Sequence, residues 1–182
     1  LSKEMNIGTL WNYVSKELGF GNLGASKVMG LAAYGSYRDD IHMILDGYWN
    51  NDKQWKQKFK EVQEKLVLQK IIKQPGWKCD IAHTLQIATE EKIREHIYPL
   101  KTCDNICVAG GVAYNGYVNE MLYENWSCVY VPPAPGDEGQ AIGTYMHANY
   151  VLNKEIHKPS VYAGKEYNYE DGKQINLKEV AQ

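Results

Sequence analysis

No stretch of this sequence comes near the roughly 20 consecutive apolar residues that a membrane-crossing helix needs, so a chain threaded through a bilayer as helices is excluded. Nor is there a surplus of charge of either sign. The 20 Lys and Arg against 22 Asp and Glu leave a net charge of −2, which lacks the electrostatic footprint of a general nucleic-acid binder. The most lysine-rich stretch, residues 53–73, alternates with Glu61, Glu64 and apolar residues, the pattern of a solvated helix face. The four cysteines (Cys79, Cys103, Cys107, Cys128) lack the tight paired spacing of a zinc ribbon. Cys107 and Cys128 fall in apolar runs, so buried thiols in a reducing, cytoplasmic compartment are expected. Residues 1–4 carry no apolar core or cleavage site of a signal peptide and no initiator methionine, and we expect a chain cut from something longer. Histidines 42, 83, 96, 147 and 157 form no pair at ligand spacing, and no Ser-His-Asp or Cys-His constellation assembles. Internal repeats and low-complexity segments are absent as well.

What is present is a chain of 182 residues, long enough for one domain with a real core. Leu10, Val14 and Leu18 recur at helical spacing over 7–18, and Gly19 closes that segment. A glycine-rich joint leads to a second helix over 25–34, stopped by Gly35. Residues 37–76 are the least legible, with Trp49, Trp55 and Phe59 scattered among Asn, Asp and Lys. The expectation there is short elements and a helix over 52–73, together a helical insertion rather than a site. Past Pro75 and Gly76 a long helix is expected over 80–98. The run 105–109 (N-I-C-V-A) suits a buried parallel strand, ending in Gly110-Gly111 and a helix over 113–123. A second strand over 128–131 ends in Pro132-Pro133 and a Gly-containing turn, from which a helix runs to about 152. Strand, turn, helix, strand, turn, helix is an α/β unit with a right-handed crossover. Residues 161–182 are expected to leave the domain as an extended tail.

Ligands of open α/β sheets bind beyond the carboxyl ends of the strands, and both strands here end in glycine turns that open helices. Without a Cβ, Gly110 and Gly111 let a phosphate or nucleotide approach the backbone, and the next helix would present its amides to an anion. Asn115 and Asn119, one turn apart, could hydrogen-bond a ribose or phosphate. Close strand–helix packing accounts for a Gly-Gly turn equally well. Asp137 begins the last helix with Gln140 three residues on, which fits a helix cap. Yet prolines 132, 133 and 135 stiffen its approach, and Gly136 and Gly139 leave space around it. A hard carboxylate so placed suits a divalent metal. Gly139 and Gly143, also one turn apart, fit close helix packing. Lys27 could contact a phosphate, although its surroundings, through Gly30 to Gly35, read equally as a small-residue helix with a glycine stop.

Three segments in order, K-V-M-G-L-A-A-Y-G (27–35), A-G-G-V-A-Y-N (109–115) and V-P-P-A-P-G-D-E-G (131–139), resemble the O-carbamoyltransferases of nodulation-factor, tobramycin and cephamycin biosynthesis. The helix I-A-H-T-L-Q-I-A-T-E-E (81–91) and the tail Y-A-G-K-E-Y (162–167) are similar to that family too. The resemblance implies the sugar kinase, heat-shock and actin type of fold, of which this chain (1–160) would be the C-terminal part of the actin-like domain. It implies a carbamoyl group moved from carbamoyl phosphate, through carbamoyl adenylate made with ATP and Mg, to a hydroxyl of a small molecule or sugar. It places the nucleotide on Gly110, Gly111, Val112, Asn115 and Gly136, with Lys27 and Gly30 bordering the adenosine. It makes Asp137 the carboxylate ligand of a metal, iron(II) in the family, where two histidines and one carboxylate form a recognised set. Those histidines sit in an H-x-x-x-H motif that this sequence lacks. The half carrying them is expected before residue 1, and an adenylate-forming domain after residue 182. Tyr114 and Gly116 replace the leucine and cysteine more usual after the Gly-Gly turn.

The fragment is expected to be inactive alone, since excluding water and fixing a carbonyl take two cleft walls. A sugar kinase or threonylcarbamoyl-transfer relative of the same fold would differ by its products. A binding or assembly module with a vestigial nucleotide cleft would show no turnover.

Overall fold

The computed structural model describes residues 6–50, 52–70 and 76–155, with the backbone alone at 67–70. The tail expected over 161–182 and the end of the helix expected to reach residue 73 lie outside the described residues. The architecture is mixed α/β: mostly helical, with a small parallel sheet. The chain divides into two units, residues 1–140 and 141–182.

Helix α1 (Ile7–Glu17) starts where Asn6 Oδ1 accepts the Thr9 amide at 3.1 Å, and it buries Ile7, Leu10, Trp11 and Val14 along one stripe. Gly19, at φ +87°, turns the chain out of it. Helix α2 (Ala25–Ala32) is made of small residues and buries Val28 and Ala32. Its exit is set by Gly35, where an added Cβ would run into the Cys79 carbonyl. This glycine therefore serves as a contact surface as well as a stop.

The 37–76 region forms α3 (Asp39–Trp49) and α4 (Trp55–Lys70). Its scattered aromatics prove to be core: Trp49, Trp55 and Phe59 are all buried. The Tyr13 ring from α1 meets Trp55 at 4.7 Å and Phe59 at 5.8 Å, edge-on. Burial among these rings, with the negative Glu17 nearby, pushes the Tyr13 phenol up to about 12. The cluster was illegible because its members come from three helices and share no period. Lys56, Lys58 and Lys60 lie on the exposed side of α4, as the charge pattern predicts.

Helix α5 (Trp77–Ile97) packs against all four helices before it, most extensively against α2. Ile81, Ala82, Leu85 and Ala88 are buried on it, and so are the polar Thr84, Gln86 and Thr89. After a 3₁₀ turn (Tyr98–Leu100), strand β1 (Asn105–Cys107) runs parallel to β2 (Cys128–Tyr130), pairing Ile106 with Val129. Between them lies α6 (Gly116–Leu122).

The strands correct two expectations. They are three residues long, and they are not buried on both faces. Val129 is buried and Ile106 half-buried, whereas Asn105, Cys107, Cys128 and Tyr130 are exposed. Alternation along each strand puts these four on the face opposite Ile106 and Val129. Cys107 and Cys128 are thus exposed free thiols, not buried ones. Helix α7 (Gly139–Asn153), which starts at the end of the first unit and runs into the second, has no buried residue.

Candidate functional site

The carboxyl ends of β1 and β2 lead into two adjoining turns. After β1, Gly110 takes φ +95° and ψ 171°, a region essentially reserved for glycine. A 3₁₀ turn (Gly111–Tyr114) follows, and α6 starts only at Gly116, later than the helix expected from residue 113. The delay has a local cause. Asn115 is extended, with φ −80° and ψ 101°, and caps α6 by accepting the Val118 amide at 3.1 Å.

The second turn is tied to the first. The Gly110 amide donates to the carbonyl of the buried Pro135 at 2.7 Å. Gly136 donates its amide to Glu138 Oε1 at 3.1 Å, and a Cβ there would come within 3.0 Å of the Tyr114 ring. At Gly139 a Cβ would strike the Ala134 carbonyl, so that glycine serves its own turn; Gly143 meets nothing within 4 Å. So among the described residues neither glycine makes room for another helix, unlike the helix packing expected of this pair. Asp137 is exposed on this turn and takes a 3.4 Å contact from Gln140 Nε2.

Beside the Gly-Gly turn lies an open cleft of about 600 Å³. One wall is α1, through Ile7, Trp11 and Asn12; the start of α2 contributes Ser26 and Met29; the turn supplies Gly111, Val112, Tyr114 and Asn115. Among the described residues no lysine or arginine lines it. Its surface is that of an apolar slot with a few polar tips, suited to a flat, mostly uncharged group.

The cleft therefore brings together Gly111, Val112 and Asn115 of the residues singled out in the sequence. Gly110, Gly136 and Asp137 lie in the adjoining turns. Lys27 and Gly30 are exposed on α2 and do not line the cleft; Ser26 and Met29, on the neighbouring stripe of that helix, do. The asparagines are engaged within the protein. Asn115 is 8% exposed, and its Nδ2 donates to Gln86 Oε1 at 2.7 Å. Asn119 Nδ2 donates to the Ala113 carbonyl at 2.8 Å. Sequence reasoning missed Trp11 and Asn12 altogether. Both belong to an ordinary amphipathic helix, and only long-range packing brings them to the turn.

Among the described residues no three His, Cys, Asp or Glu side chains gather as a metal site. Asp137 offers one exposed carboxylate, a partial fit to a divalent ion at best.

Residues 1–146 match the family described as "Carbamoyltransferase N-terminus". Three curated relatives are similar over most of the chain. An uncharacterised protein of Synechocystis sp. is 28% identical, covering 87% of this chain and 30% of its own length. The nodulation protein NolO of Bradyrhizobium diazoefficiens is 27% identical, covering 94% and 34%. An uncharacterised protein of Methanocaldococcus jannaschii is 25% identical, covering 93% and 35%. The chain thus spans about a third of the length of these relatives.

Proposed function

We propose, from the premise that this chain belongs to the carbamoyltransferase family, that the protein carrying it is an ATP-dependent O-carbamoyltransferase. In this reading carbamoyl phosphate, ATP and water give carbamoyl adenylate, phosphate and pyrophosphate. The acceptor hydroxyl of a small molecule or sugar then attacks the carbamoyl carbon, AMP leaves, and the hydroxyl proton is released. The observation that carries the reading is the pair of glycine turns, joined through Gly110 and Pro135 at the carboxyl ends of two parallel strands, next to an apolar cleft. That is where an α/β sheet receives a nucleotide.

The residue roles belong to this reading. The cleft takes the nucleoside end, with Gly111 and Val112 as its floor and Asn115 fixing the turn. Gly110 and Gly136 give the backbone its close approach to the rest of the nucleotide. Lys27 and Gly30 lie on the exposed stripe of α2 next to Ser26 and Met29, at the rim of the adenosine site in this reading. Asp137 would be one ligand of an iron(II) ion, with two histidines from sequence beyond these 182 residues; such an ion would polarise the carbamoyl carbonyl as a Lewis acid. Mg would accompany the ATP. No described helix is long and apolar enough to cross a membrane; the cytoplasmic setting is part of this proposal. An actin-like fold completed by further sequence would supply the opposite wall of the site, and this chain alone would not turn over.

Gly111 tests the nucleotide part. A Cβ at Gly111 meets nothing within 4 Å, and its φ is not positive. Gly111→Ala should therefore leave the melting temperature nearly unchanged. It should also raise the ATP dissociation constant of the intact protein about tenfold, the equivalent of roughly 1.4 kcal/mol. Unchanged affinity, read by calorimetric titration, would remove the turn from the nucleotide site.

A further inference from the structure

Helix α5 contributes no side chain to the lining of the cleft, yet two of its buried polar residues each hold one that does. Gln86 is 4% exposed and Thr89 is fully buried; they sit three residues apart, one turn along the helix. Gln86 pairs with Asn115 through both ends of its carboxamide: Oε1 accepts from Asn115 Nδ2 at 2.7 Å, and Nε2 reaches Asn115 Oδ1 at 3.3 Å. The same Nε2 donates to Glu90 Oε1 at 2.7 Å, which fixes the carboxamide plane. One turn on, Thr89 Oγ1 accepts the indole N–H of Trp11 at 2.9 Å while its hydroxyl donates to the Leu85 carbonyl at 2.7 Å. Asn115 and Trp11 both line the cleft, the first from the turn after β1 and the second from α1.

Buried polar groups are costly unless fully paired, and an aliphatic residue would serve a purely structural helix at less risk. Here both side chains are paired, and each pairing ends on an element that lines the cleft. We infer that Gln86 and Thr89 are positioning residues of the cleft, holding the Gly111–Asn115 turn and helix α1 in the register at which a ligand is gripped between them. The identity of that ligand, the nucleoside end of ATP, rests on the function proposed above; the hold on the walls does not. Asn115 is the link on one side. It cannot both cap α6 and rotate toward a ligand while Gln86 clasps it, so the turn is presented in one conformation.

The test uses two near-isosteric variants of the intact protein, Gln86→Met and Thr89→Val, with two readouts. Amide hydrogen exchange followed by mass spectrometry reports local opening. Gln86→Met should accelerate exchange over residues 111–118, and Thr89→Val over residues 7–14, each by about tenfold, with α3 and α4 unchanged. The ATP dissociation constant should rise in both, by roughly tenfold. Uniform acceleration across the whole chain, or no acceleration at either wall, would overturn the positioning role and leave only ordinary core residues. Local acceleration in variants of a protein that, unaltered, binds no ATP would support the hold on the cleft and defeat the nucleotide reading instead.

Discussion

Replacing Asp137 by Ala is expected to reduce carbamoyl transfer by the intact protein at least a hundredfold, within the range known for removing one preorganised electrostatic group. Its stability should move by less than about 1 kcal/mol. The asymmetry follows from how the carboxylate is held. The turn beneath it is held without Asp137: the Gly110 amide donates to the Pro135 carbonyl, the Gly136 amide to the Glu138 side chain, and Gly139 lets the Ala134 carbonyl pass. Asp137 itself is exposed and makes a 3.4 Å contact, too long and too solvated to hold much of the fold together. A carboxylate the fold hardly uses, carried on a held turn, is what the proposed role of Asp137 as a ligand requires. Asp137→Asn, which keeps the shape and loses the charge, should fail equally. Retained activity with a loss of about 1 kcal/mol in a denaturant titration would mean that Asp137 is a helix cap and nothing more.

The largest effect on folding is expected at Gly35, with Gly30 as its control in the same segment. A Cβ at Gly35 would enter the backbone of α5, against the Cys79 carbonyl and 2.8 Å from the Asp80 amide. Backbone cannot rotate away as a side-chain tip can, so α2 would have to lift off α5, the helix with which it shares its closest packing. Gly35→Ala should cost about 3 kcal/mol, the upper part of the range for overpacking. Gly30 lies in the exposed interior of α2 with nothing within 4 Å of a Cβ. Gly30→Ala should be neutral or stabilise by about 0.5 kcal/mol through helix propensity. Urea unfolding of both variants reads the contrast. Equal midpoints would mean that α2 and α5 do not cross as closely as described.

These two glycines also show what a sequence can tell. Period and punctuation placed α1, α2, α5 and both strands within a few residues, because apolar spacing and Gly or Pro boundaries are local signals. They did not say that Gly35 is a contact surface, since the atom it makes room for lies 44 positions away in the chain. The same limit hid the aromatic core. Tyr13, Trp55 and Phe59 meet across α1 and α4, and nothing in their spacing announces it. Exposure of Cys107 and Cys128 was misjudged for a related reason. A short apolar run says strand, but whether both faces are covered depends on layers that local sequence does not encode. At the site, the Gly-Gly turn and the Asp137 turn were legible as motifs. Their bond through Pro135, the facing wall at Trp11, and the clasp of Gln86 on Asn115 were not. Each is a tertiary contact between residues whose types are common in any helix.

The most direct test of carbamoyl-adenylate chemistry is pyrophosphate release from ATP by the intact protein, with and without carbamoyl phosphate and with no acceptor added. Release that depends on carbamoyl phosphate is the expected result, because the adenylate cannot form without the carbamoyl group. ADP formed on adding a sugar, with no pyrophosphate, would contradict it and make the protein a kinase of related fold; no turnover of either kind would leave the cleft as a binding module.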